Sequence, residues 1–311
     1  MIRSLRFAFT MIELIMVILI FGIISMIGAD IFVKIYDNYI LSRSMNTLQT
    51  KTELALEQIA KRLQYRIKDS TIARLSANSP NYVFLSDANS SYEVLEWIGY
   101  SDAALKGRWN GTINAPGWSA FIDLDSPNTS RFGIDSPGSR FDYADAIISN
   151  LSGGDISLSN GGSQKPAIVM DGHVGDYNVS SYGWHPYVDN DYALQVSCRN
   201  FNCGTNPTLL DFNDTVSEKE IYEHYKLAWS AYALVPQCPA GINDDCNLTL
   251  FYNYQPWEKE RLDQNASSAV LAEHVTTFRF IQMGDSVRLK LCIGENIYDN
   301  NISYCKEKVV F

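Results

Sequence analysis

The sequence predicts an α+β fold, in which one long N-terminal α-helix packs on an antiparallel, β-rich C-terminal body. An uninterrupted apolar stretch lies near the N-terminus, and an amphipathic helical pattern follows it directly. The remainder consists of short apolar runs between Ser, Asn, Gly and Asp, in a chain with 18 Tyr, 14 Phe and 6 Trp, which is typical of strands. We expect a leader at 1–8, a membrane helix at 9–37, the amphipathic half of the same helix at 38–70 and the body at 71–311.

The apolar stretch at residues 9–32 predicts a membrane-spanning helix. Its roughly 24 residues would form a helix of about 36 Å, enough to cross a hydrocarbon core. Arg3 and Arg6 precede it and favour a cytoplasmic leader, with the body outside the inner membrane in a single-pass arrangement.

Two simpler interpretations of this stretch explain less. A secretory signal peptide would have a shorter apolar region that ends in a small-residue cleavage site, whereas here the small residue Ala8 comes before the stretch. A plain membrane anchor does not explain Glu13, because a charge deep in the bilayer costs about 2.5–3.5 kcal/mol without a partner.

Cleavage after Ala8 would provide a partner for Glu13. The new α-amine of Phe9 would lie one helical turn from this carboxylate, the spacing at which helix side groups meet. The carboxylate could instead pair with the Phe9 amine of a neighbouring subunit, which would set the register of packed apolar helices.

These residues form a specific motif, which continues into the long apolar run and reads Ala8-Phe9-Thr10-Met11-Ile12-Glu13-Leu14. It resembles the cleavage and methylation motif of type IV prepilins and type II secretion pseudopilins. The resemblance implies cleavage before Phe9 and N-methylation by a prepilin peptidase, and a role for Glu13 in filament assembly. The implied partners are other pilins or pseudopilins and an inner-membrane assembly platform.

The chain departs from that family at two points. Ala8 stands where the family usually has Gly, which is expected to slow cleavage without abolishing it. The apolar segment also lacks the helix-breaking Pro of many major pilins, so that Gly22 and Gly28 are its only weak points. The presence of Glu13 makes the chain less similar to K-type tip pseudopilins, which often lack this acid.

A helical pattern continues after the apolar segment and ends near Asp69-Ser70. We expect its apolar stripe to pack on the protein's own sheet, while contacts with neighbouring subunits are the alternative, and both can hold on different turns. The stripe consists of Leu41, Met45, Leu48, Ala55, Ile59 and Leu63.

The sequence of the body predicts strands and loops, with a short helix at 143–151 and a Gly/Ser-rich loop at 152–163. The alternating residues on either side of Gly284-Asp285 predict a hairpin. The later strands resemble the C-terminal part of J-type minor pseudopilins and W-type minor pilins, and the large body also favours a minor subunit. The predicted strands are 82–85, 92–98, 120–123, 167–170, 194–197, 227–235, 248–254, 277–283 and 287–293.

Six cysteines lie in the last part of the chain, an even number that suggests disulfides outside the cytoplasm. They form three local couples, and a loop of roughly 14 residues closed by the last couple would add about 3 kcal/mol. None forms CxxC and no His lies at ligand spacing nearby, so we expect neither a metal nor a cofactor. The predicted disulfides are Cys198–Cys203, Cys238–Cys246 and Cys292–Cys305.

The chain contains nine N-x-S/T acceptor patterns, six of which have Asp two residues earlier. Because 35 of 311 residues are acidic, chance would give about one such case. Asp- and Asn-rich turns are one explanation; the other is N-glycosylation by a periplasmic oligosaccharyltransferase, since such bacterial enzymes prefer D/E-x-N-x-S/T. The six asparagines are Asn89, Asn178, Asn213, Asn247, Asn265 and Asn301, and the others are Asn110, Asn128 and Asn150.

No common catalytic motif occurs, and we expect a structural protein without enzymatic activity. His173, His185, His224 and His274 are expected to be structural or surface residues. The acidic turns at 189–191 and 244–245 could hold calcium, although solvated turns are the simpler interpretation.

The alternatives to a filament subunit are a pilus-tip adhesin, a DNA-uptake pilin and a membrane-anchored enzyme. A basic patch lined by aromatic side chains would favour DNA uptake, and a pocket with converging titratable groups would favour an enzyme. The net charge of −10 argues against a nucleic-acid partner.

Overall fold

A computed structural model describes residues 10–109, 111–171, 178–187, 189–213, 221–239, 245–297 and 300–311. The helices are α1 (Met11–Leu63), α2 (Asp102–Lys106) and α3 (Phe141–Leu151). The first strands are β1 (Ile72–Arg74), β2 (Tyr82–Phe84), β3 (Val94–Tyr100), β4 (Arg108–Trp109), β5 (Asn114–Ala115), β6 (Gly133–Asp135) and β7 (Ala167–Asp171). The later strands are β8 (Leu194–Cys198), β9 (Leu209–Phe212), β10 (His224–Gln237), β11 (Cys246–Tyr254), β12 (Ser267–Met283), β13 (Ser286–Ile297) and β14 (Asn300–Val310).

The long helix α1 has 53 residues and is therefore about 80 Å long. No proline interrupts it, and the side chains of Thr10 and Glu13 close its N-terminus in a capping box. Lys61 and Arg62 lie in its last turn, where cations interact favourably with the helix dipole. The α+β class predicted from the sequence is confirmed, because this helix packs on a large antiparallel sheet.

The helix ends at Leu63, so the prediction that it continues to about residue 70 is wrong. The chain leaves the helix to pair with β3: Tyr100 N–H donates to the Tyr65 carbonyl and Ile67 N–H donates to the Ile98 carbonyl. Arg66 is buried here, and its guanidinium donates to the carbonyls of Leu63, at 3.0 Å, and of Asp285, at 2.6 Å. Contacts from distant segments therefore decide where the helix stops.

Twelve of the strands in the described residues form one antiparallel sheet. Its long path runs β14-β13-β12-β11-β10-β7-β8-β9-β6. Strand β10 is its centre, because its first half pairs with β7 and its second half pairs with β11 on one side and β3 on the other. Strand β1 joins β2 to β3, and β4 and β5 form a separate two-stranded sheet.

Most predicted elements are present, and the hairpin turn Gly284-Asp285 lies between β12 and β13 as expected. The prediction of a strand at 120–123 is wrong: Phe121 makes only an isolated bridge with His224. The elements that the sequence pattern did not predict are β1, β4, β5, β6, β9, β14, the helix α2 and the first half of β12. Strand β14 was missed because lysines occupy two positions on its inner face, where an apolar residue was expected.

The described residues form three buried apolar clusters, and the helices α1 and α3 belong to two of them. The second half of α1 packs on β12–β14, and its Leu48, Leu56 and Ile59 share one buried cluster with Leu289 and Leu291 of β13. Helix α3 packs with β6–β10 in the other cluster. The sequence spacing of the α1 residues therefore corresponds to a true core face.

We expect an Ile59→Ala chain to lose about 2–5 kcal/mol of unfolding free energy, because Ile59 is fully buried and truncation leaves a cavity. Leu54→Ala is the matched control on the same helix, since Leu54 is 58% exposed and should change the free energy by less than about 0.5 kcal/mol. Urea unfolding of the full chain in detergent, followed by Trp fluorescence, measures both. Equal losses in the two variants would contradict the packing of this helix face.

Candidate functional site: the N-terminal helix

The first half of α1 is an apolar surface that the rest of the described residues leave uncovered. Every large apolar side chain from Met11 to Tyr39 is at least 53% exposed, including Phe21 at 70% and Phe32 at 74%. This helix is long and apolar enough to span a membrane, and none of its most apolar window is buried in the protein. It is suited to single-pass membrane anchoring.

Glu13 is the single acidic residue among the first 19 positions of the helix. Its Oε2 accepts hydrogen bonds from the backbone N–H of Thr10, at 2.9 Å, and from Thr10 Oγ1, at 3.0 Å. Glu13 N–H donates to Thr10 Oγ1 at 3.3 Å. The carboxylate therefore has a local structural role, which the T-x-x-E pattern could have revealed. Ala8 and Phe9 lie outside the described residues.

The apolar stripe of the amphipathic half divides at Leu48. Leu41 and Met45 remain 41% and 37% exposed, while Leu48 is 2% exposed. Beyond it, Ala55, Ile59 and Leu63 are buried against the sheet. The predicted packing on the protein's own sheet is thus confirmed from Leu48 onward. The two stripe residues in the earlier turns, Leu41 and Met45, remain exposed.

Two ion pairs hold the second half of α1 on the edge strand β14. Lys306 Nζ lies 2.5 Å from Glu53 Oε1, and Lys308 pairs with Glu57. The hydrogen bond and charge of Lys308 lower the pKa of Glu57, and Glu53 raises the pKa of Lys306. These contacts were not predicted, because the partners are far apart in the sequence.

The six cysteines form the three local disulfides that their spacing indicated, Cys198–Cys203, Cys238–Cys246 and Cys292–Cys305. The last disulfide joins β13 to β14, where its two cysteines are paired in register. It thereby fixes the strand that carries Lys306 and Lys308 beneath the helix.

The six asparagines that follow Asp in the acceptor patterns are exposed: Asn89, Asn178, Asn213, Asn247, Asn265 and Asn301. The patterns without Asp differ from one another. Asn128 is half-buried, and its Oδ1 accepts from Arg199, whereas Asn150 is exposed at the end of α3. Asn110 lies outside the described residues.

The acidic turns have local partners in the described residues. Asp189 Oδ1 accepts from the backbone N–H of Asp191, and Asp245 lies 2.8 Å from His274 Nδ1. The carbonyl of His185 accepts from Arg74. In the part of the chain that the structure describes, no three His, Cys, Asp or Glu side chains converge as metal ligands would. His173 and Asp244 lie outside that part.

The fold and this helix define a class of protein: an α+β protein with one N-terminal helix suited to membrane anchoring and a disulfide-bonded antiparallel body. No family model, curated protein or solved structure matches the chain.

Proposed function

We propose that this chain is a minor pilin or pseudopilin, a structural subunit of a type II secretion pseudopilus or a type IV pilus. The observation that carries the proposal is a helix with an uncovered apolar first half, one acid at its start and a second half packed on the body. A surface of this kind is expected to be covered by lipid before assembly and by neighbouring helices afterwards.

The proposed assembly step begins with cleavage between Ala8 and Phe9 by a prepilin peptidase. The cut creates an α-amine next to Thr10, whose backbone N–H and hydroxyl hold the Glu13 carboxylate. The carboxylate can then neutralise its own amine or that of a neighbouring subunit. Pairing between subunits sets the register of the packed helices, as a single buried polar contact does in coiled coils.

The rest of α1 connects this packed segment to the body. The helix is continuous from Met11 to Leu63, and the contacts of Ile59 and the Lys306–Glu53 pair join it to the sheet. A displacement of the membrane half by an inner-membrane assembly platform would therefore move the body with it. Neighbouring subunits would contact α1 at the exposed turns that include Leu41 and Met45, just before the helix packs on the body.

The proposed orientation places the body in the periplasm, or on an extracellular filament near its tip. The leader's Arg3 and Arg6 favour retention of that end in the cytoplasm. The three disulfides agree with an oxidising compartment on the other side of the membrane.

The test is mass spectrometry of the N-terminal peptide of the mature protein from its native host. We expect the chain to begin at Phe9 and to carry an N-methyl group, because the motif places both reactions there. Retention of Met1, or a cut near Ala29 after the apolar run, would overturn the proposal and leave an ordinary anchored or secreted protein.

A further inference from the structure

The acceptor pattern at Asn89 lies on an exposed turn between β2 and β3. Asn89 and Ser91 are both exposed, and so is Asp87, two residues before the asparagine. The backbone N–H of Ser91 donates to Asn89 Oδ1 at 2.9 Å. This side-chain turn brings the Ser91 residue next to the carboxamide. The acid, the amide and the hydroxyl residue are therefore accessible together on the folded body.

Asn178 has the same local geometry at a second place. Its Oδ1 accepts from the backbone N–H of Ser180 at 3.1 Å and from Ser180 Oγ at 2.6 Å. Asn178 is exposed, and Ser180 is half-buried. Asp176 lies outside the described residues.

Asn247 provides a contrast within the same chain. It lies in β11 and is exposed, but the hydroxyl residue of its pattern, Thr249, is only 2% exposed. Thr249 Oγ1 donates to Gln237 Oε1 at 2.9 Å. An enzyme that must contact the asparagine and the hydroxyl at once cannot reach both in the folded body.

We propose that Asn89 is an N-glycosylation acceptor on the folded body, and that folding protects Asn247. The co-substrate is an oligosaccharide linked to a lipid by a diphosphate, and the enzyme class is an oligosaccharyltransferase. The Asn89 Nδ2 forms a bond to the anomeric carbon, and the bond from that carbon to the diphosphate oxygen breaks. The lipid diphosphate leaves with the electron pair of that bond, and the proton lost by the amide passes to a base of the enzyme and then to solvent.

Asp87 is the acid of the Asn89 acceptor pattern, and it is exposed beside the turn. Its exposed carboxylate precedes the turn and is available to a cation of the enzyme at the position where the pattern repeatedly places Asp. Bulky, hydrophilic glycans are accommodated on surface loops, and Asn89 occupies such a loop. In the cell this modification rests on the outward placement of the body, as proposed above.

The experiment uses the oxidised full chain in detergent, a purified bacterial oligosaccharyltransferase that requires an acid at this position, and its lipid-linked oligosaccharide. Glycopeptide mass spectrometry gives the occupancy of each asparagine. We expect occupancy at Asn89 to exceed that at Asn247 by at least tenfold. Reduction and denaturation of the chain before the reaction should raise the glycan occupancy of Asn247 toward the occupancy of Asn89.

Matched variants distinguish recognition of the Asn89 pattern by the enzyme from an effect of the substitution on folding. Ser91→Ala and Asp87→Asn should each reduce occupancy at Asn89 by at least tenfold, while Ser91→Thr should retain it. A synthetic peptide of residues 84–94 checks the enzyme in the same reaction. An unmodified Asn89 in the folded chain, beside a modified peptide, would overturn the proposal, as would equal occupancy of Asn89 and Asn247 before denaturation. Because the reaction uses purified components, its outcome is independent of filament assembly.

Discussion

A Glu13→Gln chain is expected to insert into the membrane and to be cut before Phe9, but to enter filaments about 100-fold less than the natural chain. Gln retains the length and hydrogen-bonding groups that a capping box requires, but it removes the charge. The α-amine of Phe9 would then remain unpaired among apolar helices. An unpaired charge there costs about 2.5–3.5 kcal/mol, which corresponds to about 100-fold in partitioning between membrane and filament.

Thr10→Ala is the control that distinguishes the effect of the Glu13 charge from the effect of the helix cap. It removes the hydroxyl that accepts from Glu13 N–H, at a cost of about 1 kcal/mol to the helix start, and it leaves the carboxylate in place. We expect this chain to enter filaments nearly as well as the natural chain. Quantification of sheared filaments against membrane-retained subunits measures both variants. If Glu13→Gln assembles normally, the carboxylate serves only as a helix cap.

A Glu96→Gln chain is expected to lose about 3–5 kcal/mol of unfolding free energy, because the substitution leaves the charge of Arg74 buried and unpaired. Both side chains are 2% exposed, and Arg74 Nε lies 2.8 Å from Glu96 Oε2. The Tyr254 hydroxyl also donates to Glu96 Oε1 at 2.8 Å, so that one buried carboxylate joins β1, β3 and β11. For a body of this size the unfolding temperature should fall by about 10 °C.

Two further variants test that the loss comes from the unpaired charge. The double variant Arg74→Met/Glu96→Leu should recover most of the loss, since apolar replacement of a whole buried pair is often neutral. Glu307→Gln, which removes the partner of Arg288 on an exposed face, should leave the unfolding temperature unchanged. A thermal scan by circular dichroism of the full chains in detergent compares them. Equal effects of Glu96→Gln and Glu307→Gln would contradict the argument.

The same network makes the body sensitive to alkali. Burial, together with the neighbouring Glu96 charge, raises the pKa of Tyr254 well above its usual value. The folded chain therefore holds this proton more tightly than the unfolded chain. The corresponding stability is complete below a pH of about 10, the ordinary tyrosine pKa, and is lost as the pH rises toward the folded pKa.

Some features could be predicted from local sequence because nearby residues determine them. The apolar stretch and the absence of proline predict the continuous helix from Met11. Two-residue alternation around Gly284-Asp285 predicts the hairpin, in which Gly284 has the positive φ of +59° that glycine adopts without steric strain. Short cysteine spacings indicated the disulfide couples.

The candidate site was predictable to a smaller extent. Glu13 stands out in the sequence because a charge interrupts an apolar run, but its contact with Thr10 was recognised only from the structure. The prediction of cleavage before Phe9 concerns residues outside the described part of the chain. The exposure of Asn89 and the burial of Thr249 depend on the folded sheet, so that the acceptor pattern alone could not distinguish the two sites.

The long apolar helix, its acid at position 13, the local cysteine couples and the α+β class could be predicted, because each depends on residues close together in the chain. Contacts between distant segments end α1 at Leu63, make β14 an edge strand and pair Arg74 with Glu96, so these features follow from the fold alone. On β14, Lys306 and Lys308 interrupt the apolar pattern of a strand and are compensated by Glu53 and Glu57 of α1. These partners lie more than 250 positions apart in the sequence, so that only folding brings them together.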